Sequence, residues 1–158
     1  MSEHGHLNVD AFLARLKRTV PPAVKTLGDG EIVAWEPDND RLTMRWRATV
    51  AQCHSVEGHP KGGIVQGGFV TGWLDSAMAH ACMAKSNFTV GVPSLEIKVS
   101  FLRPAHPGVY RSIGWITRWG RRIAFMEAEL RDEADALIAR GSSTAALTHL
   151  PGEASQAG

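Results

Sequence analysis

A single carboxylate stands out in the most apolar stretch of the chain. Asp75 is the only acidic residue between Glu57 and Glu96, and it follows the double glycine Gly67-Gly68 at a distance of eight positions from Gly67. A carboxylate in apolar surroundings needs a partner or a chemical role, because burial of an unpaired charge is costly. It could act as a general base on water or as a nucleophile. The alternative is a carboxylate that points into solvent or into an interface.

The double glycine opens a predicted helix over residues 67–85. The first amides of a helix lack internal partners and lie at the positive end of the helix dipole. Because glycine has no Cβ, another group can approach these amides, which could then stabilise an oxyanion. The glycines could also serve only as a tight turn. Asp75 lies about 12 Å beyond Gly67 along an ideal helix, so both reach one carbonyl only if the glycines lie in a loop that folds back.

Other reactive side chains give weaker signals. Cys53, His54 and His59 lack the spacing typical of metal ligands, so no metal site is expected. Cys82 has no obvious activating base and is predicted to be a buried, inert thiol. His80 lies five positions after Asp75 on a different face of the helix, and we expect a core or interface histidine whose polar groups are satisfied.

Hydrophobic patterning predicts the elements that position these residues. Residues 8–19 form a predicted amphipathic helix, which Asn8 or Asp10 could cap and which Pro21-Pro22 end. Strand-like runs cover residues 31–37, 41–50, 94–102, 109–118, 122–131 and 136–148. The helix at 67–85 is apolar almost all round, so other elements must cover it. Residues 51–66 are expected to form a loop.

The order of elements predicts an α+β domain. Two strands precede the long helix and four follow it, with hairpin-length connections that favour an antiparallel sheet. Such a sheet can bury one helix by curving around it, which leaves its outer face or edge strand available for self-association. The predicted organisation is a helical extension over residues 1–25, one domain over residues 26–150 and a flexible tail over residues 151–158.

Composition and charge exclude several classes of protein. The 158 residues are 44% hydrophobic and 21% charged, with a net charge of +1, which is typical of one globular domain and not of a nucleic-acid-binding protein. The amino terminus lacks the layout of a secretion signal, and polar residues interrupt the most apolar stretch, so no membrane span is expected. With only two cysteines, a disulfide scaffold is excluded and a cytoplasmic location is expected.

Three segments together resemble the PaaI-like hotdog thioesterases. They are, in chain order, Gly63 to Phe69 with Leu74 to Met78, then Leu95 to Pro104, then Arg118 to Phe125. The similarity covers about residues 30–148 and keeps the order of the motifs. It implies a hotdog fold, in which a curved antiparallel sheet wraps around one long central helix and two subunits pair their sheets edge to edge.

The resemblance also implies a function. The expected substrates are acyl-CoA thioesters, here aryl- or medium-chain acyl-CoA, and the active sites are expected at the interface of a homodimer or homotetramer, with no cofactor. Gly67 would supply the amide that polarises the thioester carbonyl, and Asp75 would activate water or attack directly. Ser94 of the partner subunit would offer its hydroxyl to that water. Further substrate contacts are expected from six residues: His59, Gln66, Gly68, Arg118, Arg121 and Arg122. The three arginines flank a predicted hairpin turn and could bind the phosphates of coenzyme A, or they could simply lie on a solvated turn.

Two positions depart from the family pattern. Gln66 stands where many relatives have histidine, a variant that the family also contains. Pro60, which has no donor, stands where relatives have an asparagine or glutamine that holds the carbonyl or the water, and His59 could substitute if the loop contains one extra residue. A non-catalytic acyl-CoA-binding hotdog protein is therefore an alternative. A hotdog enoyl-CoA hydratase is a third, although the Asp and His motif of that branch is absent.

Overall fold

One helix enclosed by an antiparallel sheet forms the centre of the structure. The computed structural model describes residues 9–151. The helices are α1 (Val9–Arg18), α2 (Pro22–Thr26) and α3 (Gly67–Lys85). The strands are β1 (Glu31–Glu36), β2 (Arg41–Ala48), β3 (Cys53–His54), β4 (Ile64–Val65), β5 (Val90–Gly91), β6 (Ser94–Phe101), β7 (Gly108–Trp119), β8 (Ile123–Asp132), β9 (Leu137–Ala146) and β10 (Thr148–His149).

Six strands form the main sheet in the order β1-β2-β7-β8-β9-β6. Every neighbouring pair is antiparallel, and α3 packs against β2, β7, β8, β9 and β6. β6, which follows α3 in the chain, lies at one edge of the sheet, and β1 lies at the other. The predicted α+β class, with an antiparallel sheet, one long central helix and a short N-terminal helix, is confirmed.

The central helix follows from its composition and its flanking residues. Residues 67–85 contain four alanines and two methionines, which favour a helix, and α3 has the bounds predicted from the sequence. The helix ends where Asn87 and Phe88 adopt positive φ angles of 51° and 64°, a left-handed conformation that stops a helix. Although α3 is apolar, no helix among residues 9–151 is long and apolar enough to cross a bilayer.

A glycine in β7 lets the sheet approach α3 closely. A Cβ at Gly114 would lie 2.5 Å from the carbonyl carbon of Ala77, a distance that no side chain can adopt. The helix side of β2 shows the predicted alternation, with four buried residues that face the core: Leu42, Met44, Trp46 and Ala48. β6 has a similar sequence pattern, but it is an edge strand, and Leu95 and Phe101 are exposed there.

The N-terminal helices pack onto the domain. Leu16 of α1 is buried, α1 contacts β1, and the indole Nε1 of Trp73 in α3 donates to the carbonyl of Leu27 at 2.8 Å. Pro22 begins α2, a short helix that is not predicted from the sequence. A proline is tolerated in the first turn of a helix, where its missing N–H would have no partner. Asp10 lies inside α1 and does not cap it, and the other predicted cap, Asn8, lies outside the described residues.

The segment between β2 and α3 is more ordered than the loop expected over residues 51–66. It contains β3 and β4, which pair antiparallel with Cys53 opposite Val65. The Gln66 amide extends this ladder by donating to the Gln52 carbonyl at 2.9 Å. This short ladder determines how the chain enters α3. The predicted tail lies outside the described residues apart from Pro151.

Candidate functional site

The start of α3 leaves one glycine amide without a partner. The side chain of Gln66 caps the helix, since its Oε1 accepts a hydrogen bond from the Gly68 amide at 2.6 Å. Within residues 9–151 no acceptor pairs with the Gly67 amide. This amide is therefore a free donor at the positive end of the helix dipole. Gln66 and Gly68, both predicted to contact substrate, are here joined by this one hydrogen bond.

Gly67 lines a cleft of about 360 Å³. A Cβ at this position would lie 3.0 Å from the ring of Phe101, so the absence of a side chain lets this ring lie against the start of α3. Most other lining residues are apolar: Ile64, Val65, Val70, Leu102, Pro104, Ala105 and Ile138. His54 and Arg103 complete the lining.

Asp75 lies two turns further along α3 and is half-buried. Its Oδ1 accepts a hydrogen bond from the Ser94 hydroxyl at 2.8 Å. Its Oδ2 accepts none from the residues that the structure describes, so it is available to a water molecule. The resemblance implied that the Ser94 hydroxyl acts in the site of the partner subunit. Within one chain, Ser94 instead holds the carboxylate of its own Asp75.

One chain does not bring the two halves of the predicted site together. Asp75 does not line the cleft that contains Gly67. Ser94, which holds Asp75, is the first residue of β6, and Phe101, which contacts the Gly67 position, is the last. The two ends of this strand lie about 23 Å apart at roughly 3.3 Å per residue.

The structure places His54, and not His59, on the Gly67 cleft. The Nδ1 of His59 accepts a hydrogen bond from the Lys61 amide at 3.1 Å, and its ring centroid lies 5.2 Å from that of His106. His106 in turn donates from Nδ1 to the carbonyl of Gly63 at 2.8 Å. In the sequence, His54 is a candidate only for metal binding, and residues 9–151 contain no group of three or more His, Cys, Asp or Glu side chains placed to bind a metal ion.

The three predicted phosphate-binding arginines are exposed on the β7–β8 hairpin: Arg118, Arg121 and Arg122. The Arg122 carbonyl accepts from the Leu147 amide at 2.8 Å, and the adjacent Ala146 amide donates to the Pro93 carbonyl at 3.0 Å. Since Pro93 precedes Ser94, the hairpin lies near the Asp75 end of β6. None of the three arginines forms an ion pair with a described residue.

Two reactive side chains lie in the core and not in the site. Burial raises the pKa of Cys82 to about 12, so this thiol is protonated at neutral pH, as the predicted inert role requires. His80 is 3% exposed, and its Nδ1 lies 2.7 Å from the Ser76 carbonyl. The expectation of a fully satisfied histidine is wrong, because His80 Nε2 has no partner among the described residues. Burial lowers the pKa of His80, although the Ser76 carbonyl and the Asp75 charge oppose this effect.

Comparisons with known proteins show which family this chain is similar to. A family model described as the thioesterase superfamily matches residues 62–139, a segment that contains Gly67, Asp75 and Ser94. The chain is 30% identical to a phenylacetic acid degradation-related protein of Ralstonia eutropha JMP134, with 85% of this chain and 98% of that chain covered and a TM-score of 0.74. No curated protein matches the chain in sequence.

More distant solved structures share the fold. The PaaI protein from the phenylacetic acid degradation operon of Escherichia coli is 14% identical, with a TM-score of 0.72 over 91% of this chain and 97% of that chain. Zebrafish thioesterase superfamily member 2 is 18% identical, with a TM-score of 0.71 over 89% of this chain and 99% of that chain. These similarities agree with the enclosed helix and the strand order described above.

Proposed function

Because the chain belongs to the thioesterase superfamily, as a thioester hydrolase with the PaaI-like hotdog fold, we propose that it hydrolyses aryl- or medium-chain acyl-CoA thioesters in a site shared by two subunits. The Gly67 amide of one subunit polarises the thioester carbonyl, and Asp75 of the other subunit activates the attacking water. The assembly is a homodimer, alone or as half of a homotetramer.

The observation that carries this proposal is the position of the two half-sites at opposite ends of one edge strand. Ser94 holds Asp75 at the start of β6, and Phe101 lies against Gly67 at its end. Within the described chain β6 has a single strand neighbour, β9. If two copies of β6 pair antiparallel about their midpoint, Ser94 of one lies opposite Phe101 of the other. Asp75 of each subunit then lies beside the Gly67 amide of its partner.

The exposed side chains of this edge support the same pairing. Leu95, Phe101 and Leu102 are 61%, 56% and 52% exposed. An uncovered edge strand with apolar side chains tends to pair with another strand, because its backbone donors and acceptors are unsatisfied. The opposite edge strand, β1, is already contacted by α1, so β6 is the edge available to a second copy.

The chemistry requires only the groups already described. Water attacks the thioester carbonyl carbon while its proton passes to the Asp75 carboxylate, and the negative charge that develops on the carbonyl oxygen is stabilised by the Gly67 amide. The C–S bond then breaks, and the thiolate of coenzyme A takes the proton from the Asp75 carboxyl group, which restores the carboxylate. One oxyanion donor is typically worth about 3 kcal/mol, and general-base catalysis contributes roughly 10²- to 10⁴-fold. Direct attack by Asp75 to give a mixed anhydride is the covalent route to the same products.

Exposed arginines at the Asp75 end suit the nucleotide of the substrate. Arginine binds phosphate oxygens through two parallel N–H donors, and Arg118, Arg121 and Arg122 lie on a hairpin whose neighbour, Pro93, precedes Ser94. We assign these three residues to the phosphates of coenzyme A. His59 remains a candidate substrate contact through its Nε2, since only its Nδ1 accepts from the Lys61 amide and its ring lies against that of His106.

The test is a hydrolysis assay with Asp75→Asn. Purified protein is incubated with benzoyl-, phenylacetyl- and fatty acyl-CoA, and released thiol is measured. We expect turnover by the wild type and a kcat about 10²- to 10⁴-fold lower in Asp75→Asn, with the fold kept because asparagine can still accept from Ser94. The exposed Asp38, changed to asparagine, is the matched control. Unchanged turnover in Asp75→Asn, or tight binding of these esters without hydrolysis by the wild type, would contradict the proposal.

A further inference from the structure

The cleft beside Gly67 has a buried apolar floor and an exposed aromatic rim. Its deep lining consists of four buried side chains from separate parts of the chain: Val65, Val70, Ala105 and Ile138. Phe101 and Leu102 lie at its exposed side.

Each of the two polar side chains of this cleft has one hydrogen-bond partner within the chain. The Nη1 of Arg103 donates to the carbonyl of Leu137 at 2.6 Å, and the Nδ1 of His54 lies 2.9 Å from the hydroxyl of Ser55. Both side chains are exposed, and the four floor residues have no polar side-chain atom. The floor therefore favours an apolar ligand over one that ends in a carboxylate or a hydroxyl group.

The volume of the cleft in one chain is a guide to the size of that ligand. A cavity of about 150 Å³ is sufficient to bind benzene, and the cleft measures about 360 Å³. It therefore has room for one aromatic ring with a short linker, or for an aliphatic chain of medium length. A long fatty acyl chain would need the space that the Phe101 ring occupies in the cleft.

We infer that this cleft is the acyl-group pocket and that Phe101 is the residue that sets the upper size limit of the acyl group, an inference that rests on the proposed function. A thioester whose carbonyl oxygen accepts from the Gly67 amide has its acyl group next to the Phe101 ring, because that ring lies 3.0 Å from the position of a Cβ on Gly67. Phe101 touches no reacting atom, so its role is in specificity.

The experiment measures kcat/KM along a series of saturated acyl-CoA esters from four to fourteen carbons, together with phenylacetyl-CoA. Phe101→Ala enlarges the pocket, and we expect the ratio of kcat/KM for long over short chains to rise about tenfold or more. Phe101→Trp fills the pocket and lowers that ratio by a similar factor. Phe125→Ala, the same truncation at an exposed phenylalanine on the outer face of β8, is expected to leave the ratio unchanged.

The outcomes separate this inference from the proposed function. A wild-type protein that hydrolyses none of the esters contradicts the proposed function itself. A wild-type protein that hydrolyses them, with the same chain-length ratio in Phe101→Ala and Phe101→Trp, contradicts the role of Phe101. Because the ratio compares substrates within one variant, a uniform loss of rate cancels. Phe101→Trp keeps the β6 edge apolar, so it decides the question even if Phe101→Ala weakens subunit association.

Discussion

At the scale of single residues, one side-chain oxygen determines which glycine amide can bind substrate. Gln66 Oε1 accepts from the Gly68 amide and leaves the preceding amide, that of Gly67, free. In the same way, the Ser94 hydroxyl uses one oxygen of Asp75 and leaves the other available. The chemistry of the site therefore depends on hydrogen bonds that these groups make within their own chain.

Gly67→Ala tests the first of these features. The new Cβ would lie 3.0 Å from the Phe101 ring and would occupy space next to the free amide. We expect kcat/KM for acyl-CoA hydrolysis to fall by about 10²-fold or more, the effect of losing one oxyanion donor, with little change in the unfolding midpoint. If the obstruction is steric, Gly67→Ala combined with Phe101→Ala recovers part of the activity. If Gly67→Ala has the same kcat/KM as the wild type, this amide is excluded from the mechanism.

At the scale of elements, α3 is apolar almost all round and is covered from several sides. Strands β2, β7, β8, β9 and β6 of the sheet contact it. The carbonyl of Leu27, directly after α2, accepts a hydrogen bond from the Trp73 indole. Asp75 lies on the part of the helix that these elements leave half open. The position of the reactive carboxylate is thus set by which flank of α3 remains uncovered.

Leu16→Ala tests whether the N-terminal extension is part of the cooperative unit. Leu16 is fully buried, whereas its neighbour in the same helix, Leu13, is half-buried. Removal of a fully buried leucine side chain costs about 2–5 kcal/mol, so we expect the free energy of unfolding in urea to fall by that amount in a single transition. Leu13→Ala should cost less. A wild-type unfolding curve for Leu16→Ala would mean that α1 contributes nothing to the domain.

His80 in α3 predicts a pH dependence of stability. Burial lowers the pKa of His80 in the folded protein below its ordinary value of 6.5, so below about pH 6.5 the unfolded chain binds a proton that the folded chain does not. Stability therefore falls as the pH decreases from 6.5 towards the folded-state pKa. In His80→Leu this part of the loss should disappear when urea unfolding is measured at pH 7 and pH 5. If the stability of His80→Leu falls equally steeply between pH 7 and pH 5, other groups cause the loss.

At the scale of the whole molecule, the two edges of the sheet differ in their protection. β1 is contacted by α1, whereas β6 carries exposed apolar side chains and has β9 as its single strand neighbour in the described chain. The half-sites lie at the two ends of this same strand. Self-association and catalysis are therefore linked, because the proposed pairing of β6 both covers the edge and assembles the site.

Mixing two inactive variants tests that link. Subunits of Gly67→Ala and Asp75→Asn are unfolded together, refolded and assayed, and the mass of the assembly is compared with the 17.1 kDa of one chain. A mixed dimer contains one site with both an intact amide and an intact carboxylate, so about a quarter of wild-type activity should return for a two-fold dimer with random pairing. Each variant refolded alone is the control. No recovery in a mixture of assembled dimers would place both groups in one chain's own site.

The sequence by itself determined the features that depend on near neighbours. Residues a few positions apart were enough to predict the bounds of α3, the alternation in β2, the succession of strands and the prominence of Asp75 and Gly67. The reason is that a helical turn or a strand pleat has a fixed short period. The resemblance of three motifs then indicated the family. The ladder of β3 and β4 escaped notice, because two-residue strands are too short to show a period.

Only the tertiary structure decided which groups meet. How the sheet closes around α3 determines four features. They are the contact of Ser94 with Asp75, the capping of the Gly68 amide and not the Gly67 amide, the presence of His54 and Phe101 on the cleft in place of His59, and the exposure of the β6 edge. Contacts between residues far apart in the chain, such as Leu27 and Trp73, are set by packing of whole elements, and local patterns carry no record of that geometry.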